Sequence, residues 1–268
     1  MFKFCNAWIK ITCLCVGLLA RSSIAFCASE PLVAAIEMRF ENEQPRLSSG
    51  FMLERDSRYF FVMCNHSFHE YENWVPSEMV ITPIISNQFV QAIEIRDLKT
   101  FNSVNRRIHG EKGGEQVDIA VLEIGNIPSF RQNLGTLKDY IFNFNQLADA
   151  SEIQNLSVTR TPVTLRSRYG YRTAKVGVLY PKVHPAKPPQ TMMGFRLDDI
   201  SPPVQNGGDS GGAVFLEKDG MQKIIGMFSK GPAALVDNPN PASGATADSA
   251  MIRETIDLFY SVGITRSV

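Results

Sequence analysis

A chain of 268 residues can hold one large all-β domain or two ordinary ones. Its 44% apolar residues suffice for a packed core. Lys plus Arg match Asp plus Glu at 27 each, so no net field draws the chain to nucleic acid or to an anionic membrane, and nucleic-acid binding is not expected.

The first thirty residues differ from the rest. Lys3 and Lys10 flank a start that leads into an apolar run over 11–20, and Ser23-Ile24-Ala25 puts short side chains where a signal peptidase reads. This layout predicts a secretory signal over 1–25 and a mature chain over 26–268. That chain would be secreted or periplasmic, with no stable membrane association after cleavage. The apolar run is too short for a comfortable membrane span, which makes an uncleaved anchor the lesser alternative. Acylation at Cys27 is weaker still, because bulky Phe26 stands where a small residue is wanted. Cys5, Cys13 and Cys15 fall in the signal, so Cys27 and Cys64 can form at most one disulfide.

Ile36, Met38 and Phe40 alternate with Glu37 and Arg39, the period of a half-buried strand. Residues 49–53 and 59–64 read as the next two strands, joined by the polar turn Glu54-Arg55-Asp56-Ser57. Residues 79–85 and 89–95 pair around Ser86-Asn87. The polar stretch 98–116 reads as a loop, 117–122 as an apolar strand with one acid in it, and 126–150 as a connector. Further strands are expected over 157–165, 174–180, 192–197, 212–216 and 223–228, with Pro-rich loops at 182–189 and 232–241. Ile252, Ile256, Phe259 and Tyr260 recur at helical spacing and predict one amphipathic terminal helix. Many short strands and one helix indicate an all-β sandwich or a pair of barrels.

Gly207-Gly208-Asp209-Ser210-Gly211-Gly212 is the sharpest feature of the chain. A serine hydroxyl is a poor nucleophile until a base takes its proton and the carbonyl oxygen it attacks is stabilised as an anion. Flanking glycines let the backbone turn tightly and aim N–H groups, those of Gly208 and Ser210, at such an oxygen. Two glycines and a serine alone more often make a plain turn; the whole run, leading into apolar Ala213-Val214-Phe215, goes further. Upstream, His66 ends the apolar run Phe61-Val62-Met63-Cys64. Asp118 interrupts the strand Val117-Asp118-Ile119-Ala120-Val121-Leu122, where an unpaired acid is costly.

Gly208-Asp209-Ser210-Gly211-Gly212 resembles the nucleophile motif of the chymotrypsin/trypsin-like serine proteases. Phe61-Val62-Met63-Cys64-Asn65-His66-Ser67 is similar to that family's strand-then-histidine segment, in the variant with Asn before the His. Ser49-Gly50-Phe51 matches the strand before it, and the segment around Asp118 matches the aspartate strand. The order His, Asp, Ser is the family's own. Together these matches span about 32–260. The resemblance implies two packed antiparallel six-stranded β-barrels, over about 30–130 and 150–250, with a C-terminal helix. It implies Ser210 as nucleophile, His66 as general base, Asp118 as its orienting carboxylate, and Gly208 and Ser210 as oxyanion donors. A protein or peptide substrate would be hydrolysed through an acyl-enzyme, without metal or cofactor.

Ile225-Gly226-Met227-Phe228-Ser229-Lys230-Gly231 resembles the family strand that binds substrate backbone. Ser229 is then expected near Asp118, Gly231 at the mouth of the primary specificity pocket, and Val204 at its base. An apolar base holds no Lys or Arg, and Phe228 stands where glutamyl-specific relatives place a histidine. An apolar or small residue is therefore expected before the scissile bond, unless the loop 198–207 is shifted and Val204 is merely a loop residue. His69 is the competing base; His109 and His184 lie in polar or Pro-rich loops. Residues 28–40 contain no glycine-rich, Ile- or Val-led start of the kind that activates zymogens of the family, so Asp209 is expected to bond internal donors or face solvent. Asn65-His66-Ser67 spells a glycosylation sequon, taken as accidental because a glycan there would block the base. The rival functions are an esterase with the same triad and a catalytically silent, protease-like binding protein.

Overall fold

The computed structural model describes residues 32–41, 43–69, 76–108, 116–179, 191–192, 194–205, 208–218, 221–231 and 242–261. The expected signal, Cys27, His109, His184 and both Pro-rich loops lie outside the described residues.

The first half starts as an antiparallel meander of β1 (Val33–Phe40), β2 (Glu43–Arg55) and β3 (Arg58–Met63). The β2–β3 turn passes through Asp56 and Ser57 with φ of 53° and 61°, a pairing whose twist suits a hairpin. A four-residue helix, α1 (His66–His69), follows. Then β4 (Glu78–Ile85) returns to pair with β1, and a second positive-φ turn at Ser86 and Asn87 leads into β5 (Gln88–Phe89). After β6 (Ile93–Ile95) come α2 (Leu98–Asn105), β7 (Arg106–Ile108), β8 (Gln116–Val117) and β9 (Ala120–Glu123), which lies on β3. Helix α3 (Pro128–Leu137) and β10 (Phe142–Asn143) complete it. The sheet has nine strands along the path β5-β4-β1-β2-β3-β9-β7, with β6 on β4 and β10 on β2.

Helix α4 (Ala150–Thr159) leads into the second half. There β11 (Pro162–Ser167), β12 (Gly170–Leu179), β14 (Phe195–Ser201), β17 (Gly244–Asp248), β16 (Met221–Lys230) and β15 (Ala213–Lys218) close a barrel in that order. The short β13 (Thr191–Met192) pairs with β8 instead, and α5 (Ser249–Ser261) ends the described chain. The expected all-β class and terminal helix are both present. The second half closes into the six-stranded barrel, while the first carries more than six strands and runs open from β5 to β7 among the described residues.

Side-chain alternation sorts the core into three parts. Ala34, Ile36, Met52, Phe61, Met63 and Leu122 point into the interior of the first sheet. Val163, Val176, Phe195, Val214 and Ile225 fill the barrel. The alternate residues of the same first-sheet strands, among them Val33, Phe51, Val62 and Val121, meet Ala213, Met227 and Ile252 in a third cluster shared by both halves. Strands buried on both faces read as unbroken apolar runs, which is why 59–64 shows no alternation.

Three helices stand where loop, connector and strand were expected: α2 in 98–116, α3 in 126–150 and α4 across the start of 157–165. Asp97 caps α2 by accepting from the Thr100 N–H at 3.0 Å. Asp149 and Glu152 form a reciprocal capping box at the start of α4, which runs through 157–159. Both cap signals are present in the sequence.

Candidate active site

Strand β3 ends at Met63, and Cys64-Asn65 carry the chain into α1, so His66 stands at the rim of the first sheet beside the start of β9. Asp118 precedes β9 and is 4% exposed. One of its oxygens accepts the His66 backbone N–H at 2.7 Å; the other meets His66 Nδ1 at 2.6 Å. The second oxygen also accepts the hydroxyl of Ser229, which is 1% exposed on β16. A carboxylate only accepts, so the neutral ring carries its proton on Nδ1 and offers Nε2 as the acceptor nitrogen. Burial acts to raise the Asp118 pKa, but the charge of His66 and the hydrogen bonds from His66 and Ser229 outweigh it, and the carboxyl is held below its ordinary range. The side chain of His69 lies outside the described residues; the imidazole that meets Asp118 is that of His66.

Cys64 is a free, buried thiol that donates to the Phe228 carbonyl at 3.4 Å. Burial, with the Asp118 charge second, pushes its pKa well up. Its sulfur, a His66 ring nitrogen and an Asp118 oxygen lie within 4.8 Å of one another. The thiol bonds Phe228 O and both carboxylate oxygens accept hydrogen bonds, so it is Asp118 that sets the histidine's orientation. Asn65 is 5% exposed, which leaves a glycan no room at the sequon.

The serine loop enters from the barrel side. Gly208 and Gly211 have φ of +144° and +89°, conformations that side chains rarely adopt. A Cβ on Gly211 would collide with the backbone oxygen of Ser49. Gly211 N–H donates to Phe228 O at 2.7 Å, Phe228 N–H to Gly212 O at 2.9 Å, and Gly212 N–H to Asp209 O at 2.9 Å. The N–H groups of Gly208 and Ser210 meet no acceptor among the described residues. The Ser210 carbonyl accepts the Ser49 N–H at 2.8 Å and the Ser48 hydroxyl at 2.9 Å. Ser48 has then used its one proton, so Ser67, next to His66, donates to it at 3.0 Å. The histidine and serine segments are thus joined through Ser48.

Asp209 is 1% exposed and fully engaged. Arg172 reaches it at 2.9 Å, Ser167 donates to the same oxygen, and Gln205 N–H donates to the other at 2.6 Å. Of the two expected outcomes, internal donors or solvent, the structure has the first. Arg172 precedes the strand expected over 174–180, and no motif in the sequence marks it; in the structure it lies on β12, which begins at Gly170. On the far side of the loop, half-buried Val204 lies by Gly231, 3.7 Å from where a Cβ on that glycine would sit. The Phe228 ring fills the space beside Gly244 where a side chain would otherwise stand.

Neither a family model nor any curated protein matches this sequence. Solved structures do resemble it in fold. An HL collagenase superposes with a TM-score of 0.53 at 12% identity, over 88% of this chain and 95% of its own. A thermostable serine protease from an extremophilic microorganism gives 0.52 at 12% identity, over 87% and 99%. An HtrA-type protease with a tripeptide gives 0.49 at 13% identity, and there the chain spans 62% of the other's length.

Proposed function

We infer that this chain, which has the fold of the chymotrypsin/trypsin-like serine proteases, is an exported serine endopeptidase that hydrolyses peptide bonds through an acyl-enzyme. The buried Asp118 carboxylate, gripping His66 by backbone and ring beside the anchored serine loop, is the observation that carries this reading.

In this reading Ser210 Oγ attacks the substrate carbonyl while His66 Nε2 takes its proton. Asp118 keeps the ring in the productive tautomer and stabilises the imidazolium. The oxygen that becomes an anion is received by the N–H groups of Gly208 and Ser210, which meet no acceptor among the described residues. Collapse of the tetrahedral adduct passes the proton to the leaving amine. Water, deprotonated by the same histidine, then releases the acid. In this reading Gly231 and Val204 line the pocket that meets the residue before the scissile bond, and they favour a small or apolar side chain there.

A serine-reactive phosphonate tests the proposal directly. One equivalent should attach at Ser210 and abolish hydrolysis of a mixed peptide library, and the cleavage sites in that library report the specificity. An intact, folded protein that takes up no phosphonate would instead be a silent binding protein. Preferential cleavage after Lys or Arg would refute the pocket assignment.

A further inference from the structure

A cleft of about 380 Å³ opens where the edge of the first sheet meets the barrel. Ile84, Asn87 and Phe89 line it from the β4–β5 hairpin, and residues 166–171 line it from the β11–β12 hairpin. Phe89, Tyr169 and Tyr171 are 63%, 40% and 39% exposed, three large rings around one depression. Isolated exposed rings are ordinary; a cluster in a concave site marks a binding surface.

The cleft is also charged in one sense. Arg166 and Arg168 line it, and no Asp or Glu does so among the described residues. Arg166 is buried, with its guanidinium 4.7 Å from the centre of the Tyr171 ring and one nitrogen donating to Ile84 O at 3.4 Å. Arg168 is half-buried, 5.4 Å from the centre of the Tyr169 ring, and has no carboxylate partner among the described residues. An arginine held against a ring keeps its N–H edges for a ligand, and a carboxylate fits those edges two at a time.

This cleft is continuous with the serine loop. A side chain on Gly208 would strike the Tyr169 ring, and Arg168 N–H donates to the hydroxyl of Ser49, which in turn donates to Gly208 O. The opposite flank of the loop is bonded to β16 through Gly211, Gly212 and Phe228. A polypeptide whose acyl half lies along β16 therefore sends its leaving half toward Tyr169.

We propose that the cleft bounded by Phe89, Arg168, Tyr169 and Tyr171 binds an acidic segment of the polypeptide substrate just beyond the scissile bond. The placement beyond the bond rests on the serine-protease reading; the affinity for an acidic peptide does not.

Two measurements separate these. First, peptides identical up to the scissile bond and carrying either Glu or Gln in the next four positions are compared as substrates. The Glu peptide should be cleaved with about tenfold higher kcat/KM at low salt, the advantage shrinking as salt is added. Arg168→Glu should abolish or reverse it, and Phe89→Ser should weaken both peptides, while hydrolysis of a short anilide that ends at the bond stays unchanged. Equal kcat/KM for the two peptides in the wild type would overturn the proposal. Second, a fluorescent form of the Glu peptide is titrated against the Ser210→Ala protein by anisotropy. Binding that is charge-dependent and lost in Arg168→Glu supports the cleft without requiring turnover; binding indifferent to both charges rejects it. If that binding is seen while the wild type cleaves no peptide, the cleft stands and the protease reading falls.

Discussion

Arg172 and Asp209 meet at 2.9 Å with side chains 2% and 1% exposed, so the residue next to the serine is held by a cation from the neighbouring hairpin. Removing one partner of such a pair leaves the other buried and uncompensated. Arg172→Ala should therefore lower stability by about 3–5 kcal/mol. Turnover should fall further than stability alone explains, because Asp209 anchors the loop that bears Ser210. Urea unfolding and kcat on the same preparation check this. Unchanged values for both would show that the pair is idle.

Activity should need no second proteolytic cut. Leu32 is fully buried and its N–H donates to Tyr140 O at 3.1 Å, while Val33 already pairs in β1, so this stretch is not at liberty to insert beside Asp209. Asp209 has its cation in any case. Active-site titration of protein taken directly after export should give a full titre. A titre near zero that rises only after cleavage around 28–40 would contradict this.

Asp118→Asn should fold and lose on the order of 10⁴ in kcat, because the amide favours the wrong tautomer of His66. Ser210→Ala should lose on the order of 10⁶ with its fold intact. Stability should also depend on pH through Asp118. In acid the folded carboxyl sits below its usual range, so the unfolded chain binds more protons there. The contribution of Asp118 is full above the ordinary carboxyl range, about 3.9, and is lost as pH falls through the lowered folded value. The urea midpoint of the wild type should thus drop more steeply in acid than that of Asp118→Asn. Parallel curves would rule out a lowered Asp118.

Much of the site could be read in the sequence because its residues break the patterns around them. Asp118 is an acid in an apolar run, which the structure breaks into β8 and β9 at that residue, and the glycines flanking Ser210 include two positions with positive φ. The structure brings His66 and Ser229 to Asp118 as the motifs implied. What could not be read was supplied by residues that look ordinary where they stand. Ser48 ends an exposed-looking stretch, yet it joins Ser210 to Ser67 across the two halves. Such roles arise from long-range pairing, which local periodicity does not encode. The helices over 98–105 and 150–159 are a different case: Asp97, and Asp149 with Glu152, mark their starts in the sequence, whereas the polar stretch 98–116 carries no long apolar stripe to announce a helix.

Cys64 should be inert in the folded protein. Its thiol is buried and pushed well up by desolvation, so the nucleophilic thiolate is scarce. Iodoacetamide followed by peptide mapping should leave Cys64 unmodified under native conditions and alkylate it fully in denaturant. Rapid native labelling would mean that the strand end opens, and it should then be accompanied by lost activity.

The apolar layer between the first sheet and the barrel is owned by both: Val33, Phe51, Val62 and Val121 on one side, Ala213, Met227 and Ile252 on the other. The jaws that bear His66 and Ser210 are therefore tied through one shared apolar layer. Heat should end catalysis and fold in a single step, because a core shared by both halves makes their unfolding cooperative.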